Sequence, residues 1–164
     1  MIYTNKTERE IAGYFKGEGY LGIQSYTKKY KPKYESSSKR SSILYRPQMT
    51  LVARLDDIEA LEYVKRKLGG YLIKIFKPSN KNSKPYALWG TNSTKVIGKI
   101  CDILINSEMP SKKIEQAKVM KEYLKFRLPN GTKITYSGRR YSAKEIAKME
   151  ELKQKLHKLK RYTP

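Results

Sequence analysis

Four segments with strand character occur as two pairs, and a helical segment stands before each pair. Residues 5–17 read as a first helix, with Thr7 or Asn5 as its cap. "YLGIQSYTKKY" at 20–30 and "SILYRPQMTLVAR" at 42–54 are rich in tyrosine and β-branched residues, as strands are. Between them, "KPKYESSSKRS" is a polar loop with Pro32 and a run of three serines at 36–38. Pro47 marks an edge position or a bulge in the second strand. A helix is predicted at about 56–68, capped by Asp56 or Asp57, with Leu61, Val64 and Leu68 spaced by three and four and Gly69–Gly70 as its stop. "YLIKIFK" at 71–77 and "YALWGT" at 86–91 make the second strand pair around the turn at 79–84.

Three more helices complete the chain. Residues 94–106 carry Val96, Ile97, Ile100 and Leu104 on one face; Pro110 introduces 111–127; and Ser142 with Glu145 forms a capping-box pattern at the start of 142–160. "PNGTKITYSGRR" at 129–140 is a loop. The order α-ββ-α-ββ-α plus two C-terminal helices implies an α+β fold, a four-stranded antiparallel sheet with helices on one face. All 164 residues fit a single domain.

A sheet covered on one side must leave its other face polar or engaged. Alternation puts Gln24, Tyr26, Lys28 and Tyr30 on one side of the first strand, and Ser42, Leu44, Arg46, Gln48 and Thr50 on one side of the second. These side chains suit a face that reads base edges and phosphates, or one that is simply solvated. Charge bears on that choice. Thirty-six Lys and Arg stand against fifteen Asp and Glu, a net +21, which favours a polyanionic partner. Nucleic acid leads; a basic structural ribosomal protein or a membrane-surface protein is the plainer alternative. No run of about 18 apolar residues exists, so no membrane span is expected. The lone cysteine, Cys101, and lone histidine, His157, leave no disulfide framework and little room for histidine chemistry. The start "MIYTNKTERE" has no apolar leader core, and an intracellular protein is expected.

One stretch runs against helix propensity. "IAGYFKGEGYLGI" at 11–23 places Gly13, Gly17 and Gly19 in or just past the first helix, where each glycine costs roughly 1 kcal/mol against alanine. It also sets Glu18 between two glycines. "IAGYFKGEG" resembles the motif of the LAGLIDADG homing endonucleases in its "LAGFxDGEG" form, with Ile11, Ala12, Gly13, Gly17, Glu18 and Gly19 in register. "KKIEQAK" at 112–118 is similar to the basic "KxxQA" segment of that family, and "AKMEELKQKLHKLKR" resembles its closing helix. The resemblance covers essentially the whole chain.

What the resemblance implies is specific. The fold is LAGLIDADG endonuclease-like, with a saddle-shaped sheet lying on double-stranded DNA. Two copies of the motif helix pack together, with Ile11, Ala12, Gly13, Phe15 and Lys16 at the interface. Gly17 and Gly19 let the chain turn into the first strand. Glu18, with the Gly17 carbonyl, holds Mg²⁺ or Mn²⁺, and two such sites cut both strands. Lys113, or Lys112 in a register shifted by one, acts electrostatically beside the scissile phosphate, and Arg54 positions solvent. Gln24, Tyr26, Lys28, Tyr30, Arg46, Gln48, Thr50, Lys74, Arg139 and Arg140 contact DNA. Only one copy of the motif is present, which implies a homodimer on a nearly palindromic target. The family usually has Asp where this chain has Lys16, and that departure keeps open a binder that does not cut, either an intron RNA maturase or a DNA-binding regulator. Such proteins belong to phages, organelles and archaea, between which the sequence does not choose.

Overall fold

The computed structural model describes residues 6–30, 40–107, 111–127 and 142–160, with side chains described throughout these except at 28–30, 40–43 and 127. The order is α1 (Lys6–Glu18), β1 (Gly19–Tyr30), β2 (Arg40–Arg54), a 3-10 turn (Leu55–Asp57), α2 (Ile58–Leu68), β3 (Tyr71–Ile75), β4 (Tyr86–Thr91), α3 (Thr94–Ile105), α4 (Lys112–Arg127) and α5 (Ala143–Lys160). The four strands form one antiparallel sheet in the order β1-β2-β4-β3. Pro47 lies where β2 pairs only with β1, because β4 begins its pairing at Met49. Its missing N–H therefore breaks no bond to β4.

The inward face of the sheet carries Leu21, Met49, Leu51, Ala87 and Trp89, all buried. The helices cover it. Phe15 from α1 meets Trp89 edge-on, with ring centroids 5.6 Å apart and planes at 76°. Trp89 Nε1 donates to the Gly69 carbonyl at 2.8 Å, so the buried indole leaves no donor unpaired. Cys101 lies in this core, and burial pushes its thiol up to about 12, which leaves it an inert apolar group.

The ends of the helices follow local chemistry. Ser142 and Glu145 make the reciprocal capping box, Glu145 N to Ser142 Oγ at 3.1 Å and Ser142 N to Glu145 Oε2 at 2.8 Å. Gly69 and Gly70 end α2 with φ of 76° and 90°, which few other residues adopt. The expected cap of α2 differs: Asp57 precedes the helix, but its side chain makes no capping bond, because it is the last residue of the 3-10 turn, with φ −106° and ψ 19° instead of extended backbone. Thr7 lies inside α1 and is not its cap, since the helix already begins at Lys6.

Candidate functional site

Glu18 is the last residue of α1, and its side chain is exposed. A carboxylate at a helix C-terminus faces the negative end of the helix dipole, so local energetics oppose it. Gly19 follows, and any side chain there would run into the Phe15 carbonyl and Cα. That close approach lets α1 turn directly into β1. Gly17 has no such duty. It is helical, and a Cβ on it would meet nothing within 4 Å. The turn expected of both glycines rests on Gly19 alone.

Two lysines from other elements converge on this corner. Lys113, near the start of α4, is half-buried, and its Nζ donates to the Gly19 carbonyl. Burial lowers its pKa, and the charge of Glu18 opposes that shift. Lys160, the last residue of α5, places Nζ 3.7 Å above the Tyr20 ring. Burial and the Lys113 charge bring its pKa down to about 8. The end of α5 is tied to α4 by the buried Gln116, whose Nε2 reaches the Leu159 carbonyl at 3.5 Å. Along the helix, Tyr45 donates to Glu150 at 2.9 Å and Lys153 to Ser25 at 2.8 Å, fastening α5 across β1 and β2. Neither Lys160 nor Tyr20 was expected at the site, and no spacing in the sequence signals the pairing. Only the packing of α5 on β1 creates it.

The Lys160→Met protein is expected to melt higher at pH 7. Lys160 ionises near 8 in the fold against an ordinary 10.5, so the unfolded chain binds more protons between those values and the wild-type stability rises with pH across that window. Methionine keeps the apolar contact with the ring. The gain is full below pH 8 and gone above about pH 10.5, where both states carry neutral lysine. Thermal melts of both proteins across pH check this; an equal gain at every pH would mean that charge is not its cause.

Arg54 ends β2, exposed and 3.7 Å from Asp56. It lines an open cleft of about 960 Å³ together with Glu10, Tyr14 and Glu18 of α1 and Tyr63 of α2. The cleft thus brings Arg54 to the same corner as Glu18. Among the described residues, no group of three or more His, Cys, Asp or Glu is placed to hold a metal ion. The end of α1 offers a single carboxylate, Glu18.

The outward sheet face follows the predicted alternation. Gln24 pairs with Arg46, and Gly22 with Gln48. Gln24 donates to Gln48 at 2.5 Å, and the Arg46 guanidinium lies 5.9 Å from the centre of the Tyr26 ring. Lys28 and Tyr30 lie in β1 with side chains outside the described set, and Arg139 and Arg140 lie outside the described residues. Two expectations for this face are corrected. Thr50 has the right parity but is only 7% exposed, because it sits between Tyr20 and Gly90 and the Tyr71 ring fills the space where Gly90 lacks a side chain. Lys74 pairs with Ala87, on the side of the sheet that carries Trp89, so its side chain leaves from the opposite face to Gln48.

Of the five interface residues expected on α1, Ile11, Ala12 and Phe15 lie inside, and Gly13 and Lys16 do not. Ile11, Ala12 and Phe15 are 2%, 4% and 0% exposed and belong to the protomer's own core. The outward stripe is Glu10, Gly13, Tyr14, Gly17 and Glu18, with Lys16 at its margin. A Cβ at Gly13, as at Gly17, would meet nothing within 4 Å.

The sequence profile of a family described as LAGLIDADG endonuclease matches residues 11–124. Solved structures share the fold. The homing endonuclease I-TnaI is 15% identical with a TM-score of 0.63, over 98% of this chain and 96% of its own. I-CvuI, solved in complex with the I-CreI target, is 17% identical with a TM-score of 0.59, over 96% of this chain and 83% of its own. I-SmaMI, solved on uncleaved DNA with calcium ions, is 18% identical with a TM-score of 0.62; 92% of this chain matches, but it spans only 45% of that one. No curated protein matches the chain.

Proposed function

The chain belongs to the LAGLIDADG endonuclease family, and from that premise we propose that it is a sequence-specific, metal-dependent DNA endonuclease acting as a homodimer. The observation that carries this reading is Glu18. It is an exposed carboxylate held against the helix dipole, with the half-buried Lys113 bonded to the next residue in the chain. A fold has no local reason to build that corner, and phosphodiester chemistry has one.

The donor set suits Mg²⁺ or Mn²⁺, which bind through one or two carboxylates plus phosphate oxygens and water. In this protein Glu18 and the Gly17 carbonyl would hold the ion. When bound, the ion supplies water activation and neutralises charge on the leaving oxygen. Because one protomer offers only one such carboxylate, the second comes from a second copy. The outward stripe with Gly13 and Gly17 gives the close backbone approach that two packed helices need. Lys113 holds positive charge at the reacting phosphate, pre-positioned by its bond to Gly19, so little reorganisation is required. Arg54 reaches the same cleft to orient solvent. The polar end of the outward sheet face, with Gln24, Arg46 and Gln48, reads bases in the major groove. Two-fold symmetry implies a nearly palindromic target.

The test is cleavage of a randomised double-stranded library with Mg²⁺, with Mn²⁺ and with Ca²⁺. Selective double-strand cutting with Mg²⁺ or Mn²⁺ supports the proposal. Selective binding without cutting under any ion overturns the enzyme reading and leaves a binder, with Lys16 as its first suspect. The Lys113→Met protein is expected to cut about 10²-fold more slowly at similar DNA affinity, the scale of losing one transition-state donor. Single-turnover rates beside equilibrium binding check it; a loss confined to affinity would make Lys113 a plain phosphate contact.

A further inference from the structure

The outward face of the sheet changes character along β2. From Gln24 and Arg46 to Gln48 it is polar. Past Thr50 it becomes apolar: Val52 pairs with Leu88, and Leu88 pairs with Ile73, so three aliphatic side chains stand in one row across β2, β4 and β3. Val52 is 39% exposed and Ile73 49%, with Leu88 between them partly exposed. Single exposed aliphatics are ordinary on protein surfaces. Three in register, next to the polar stretch of Gln24, Arg46 and Gln48, need an occupant.

We propose that the Val52–Leu88–Ile73 row reads thymine 5-methyl groups in the major groove, beside the point of cleavage. The inference rests on the DNA reading above and adds a base preference to it. Aliphatic side chains have no donor or acceptor, and the thymine methyl is the apolar feature that the major groove presents. Charge complementarity and continuity name DNA as the occupant. The row lies between Arg54 at one end of β2 and Gln48 and Arg46 further along it, on a chain of net charge +21. Position follows from the strand. Gly19 pairs with Leu51, so Val52, the residue after Leu51, stands level with Glu18 and lines one cleft with it; the β2 end of the row is thus beside the acid. Strand rise and base-pair rise are both about 3.4 Å, so Gln48 reads roughly four base pairs further out than Val52. RNA offers this row nothing comparable: uracil lacks the methyl, and the A-form major groove is too deep and narrow for side chains to read.

The experiment starts from the target selected by cleavage or binding. Each thymine is replaced singly by deoxyuridine, which removes the methyl and leaves base pairing intact. Binding is then measured with the wild type and with Val52→Ser, Ile73→Ser and Leu88→Ser. The expected result is thymine enrichment next to the cut, with each substitution there weakening binding about 3- to 10-fold, the scale of one buried methyl or a little more. That penalty should vanish in at least one of the variants. Bound targets indifferent to deoxyuridine near the cut would overturn the row's role while leaving the nuclease reading standing. So would penalties that persist unchanged in all three variants. A change of oligomeric state in Ile73→Ser would put a second copy on the row and also overturn it. No DNA binding at all would instead remove the reading on which the inference rests.

Discussion

The Glu18→Gln protein is expected to bind its DNA target with near-normal affinity and to cut it at least about 10³-fold more slowly, a loss of roughly 4 kcal/mol of transition-state stabilisation. The substitution keeps size and hydrogen bonding and removes the charge. Glu18 is exposed, its carboxylate faces the negative end of α1, and Lys113 feels its charge. Stability should change little, because glutamine relieves the unfavourable dipole contact but gives up the attraction to Lys113. Activity lost without stability separates a functional acid from a structural one. The checks are single-turnover cleavage, equilibrium binding and a thermal melt on the same preparation. A Glu18→Gln protein that still cuts at the wild-type rate would move the metal site elsewhere.

The second large effect separates the two faces of α1. Phe15→Ala is expected to cost about 3–5 kcal/mol, a large part of the 5–15 kcal/mol that holds a typical domain together. Phe15 is fully buried against Trp89, and its removal leaves a cavity that the surrounding helices fill only in part. Gly13→Gln should do the reverse. Within one protomer the new side chain meets nothing, and replacing a helical glycine gains up to about 1 kcal/mol of propensity. In the proposed dimer it would occupy the space of the facing helix. The expected protein keeps its helical circular dichroism, sediments as a monomer and nicks or binds without double-strand cutting. Denaturant melts and sedimentation of both variants decide it. A Gly13→Gln protein that remains dimeric would place the interface on another surface.

Much of this protein is legible in its sequence because the determinants are local. Strand and helix periods, the Ser142–Glu145 capping box and the Gly69–Gly70 stop each act within a few residues, and each appears where spacing puts it. The motif around Glu18 is local as well, since the sharp exit from α1 needs glycine at 19 for a clash with Phe15 only four residues away. Which neighbour covers which stripe is another matter. Periodicity shows that α1 has two faces; the packing of Trp89 decided that Ile11, Ala12 and Phe15 turn inward and that Gly13 and Gly17 remain outside. Alternation gave Thr50 its correct side, yet Tyr71 from β3 covers it. Lys74 went to the other side because strand register, which depends on pairing with β4, sets its parity. The cluster of Glu18, Lys113 and Lys160 joins the ends of three helices far apart in the chain. Their convergence depends on how α4 and α5 pack against the sheet, a sum of many weak contacts that no short stretch of sequence contains.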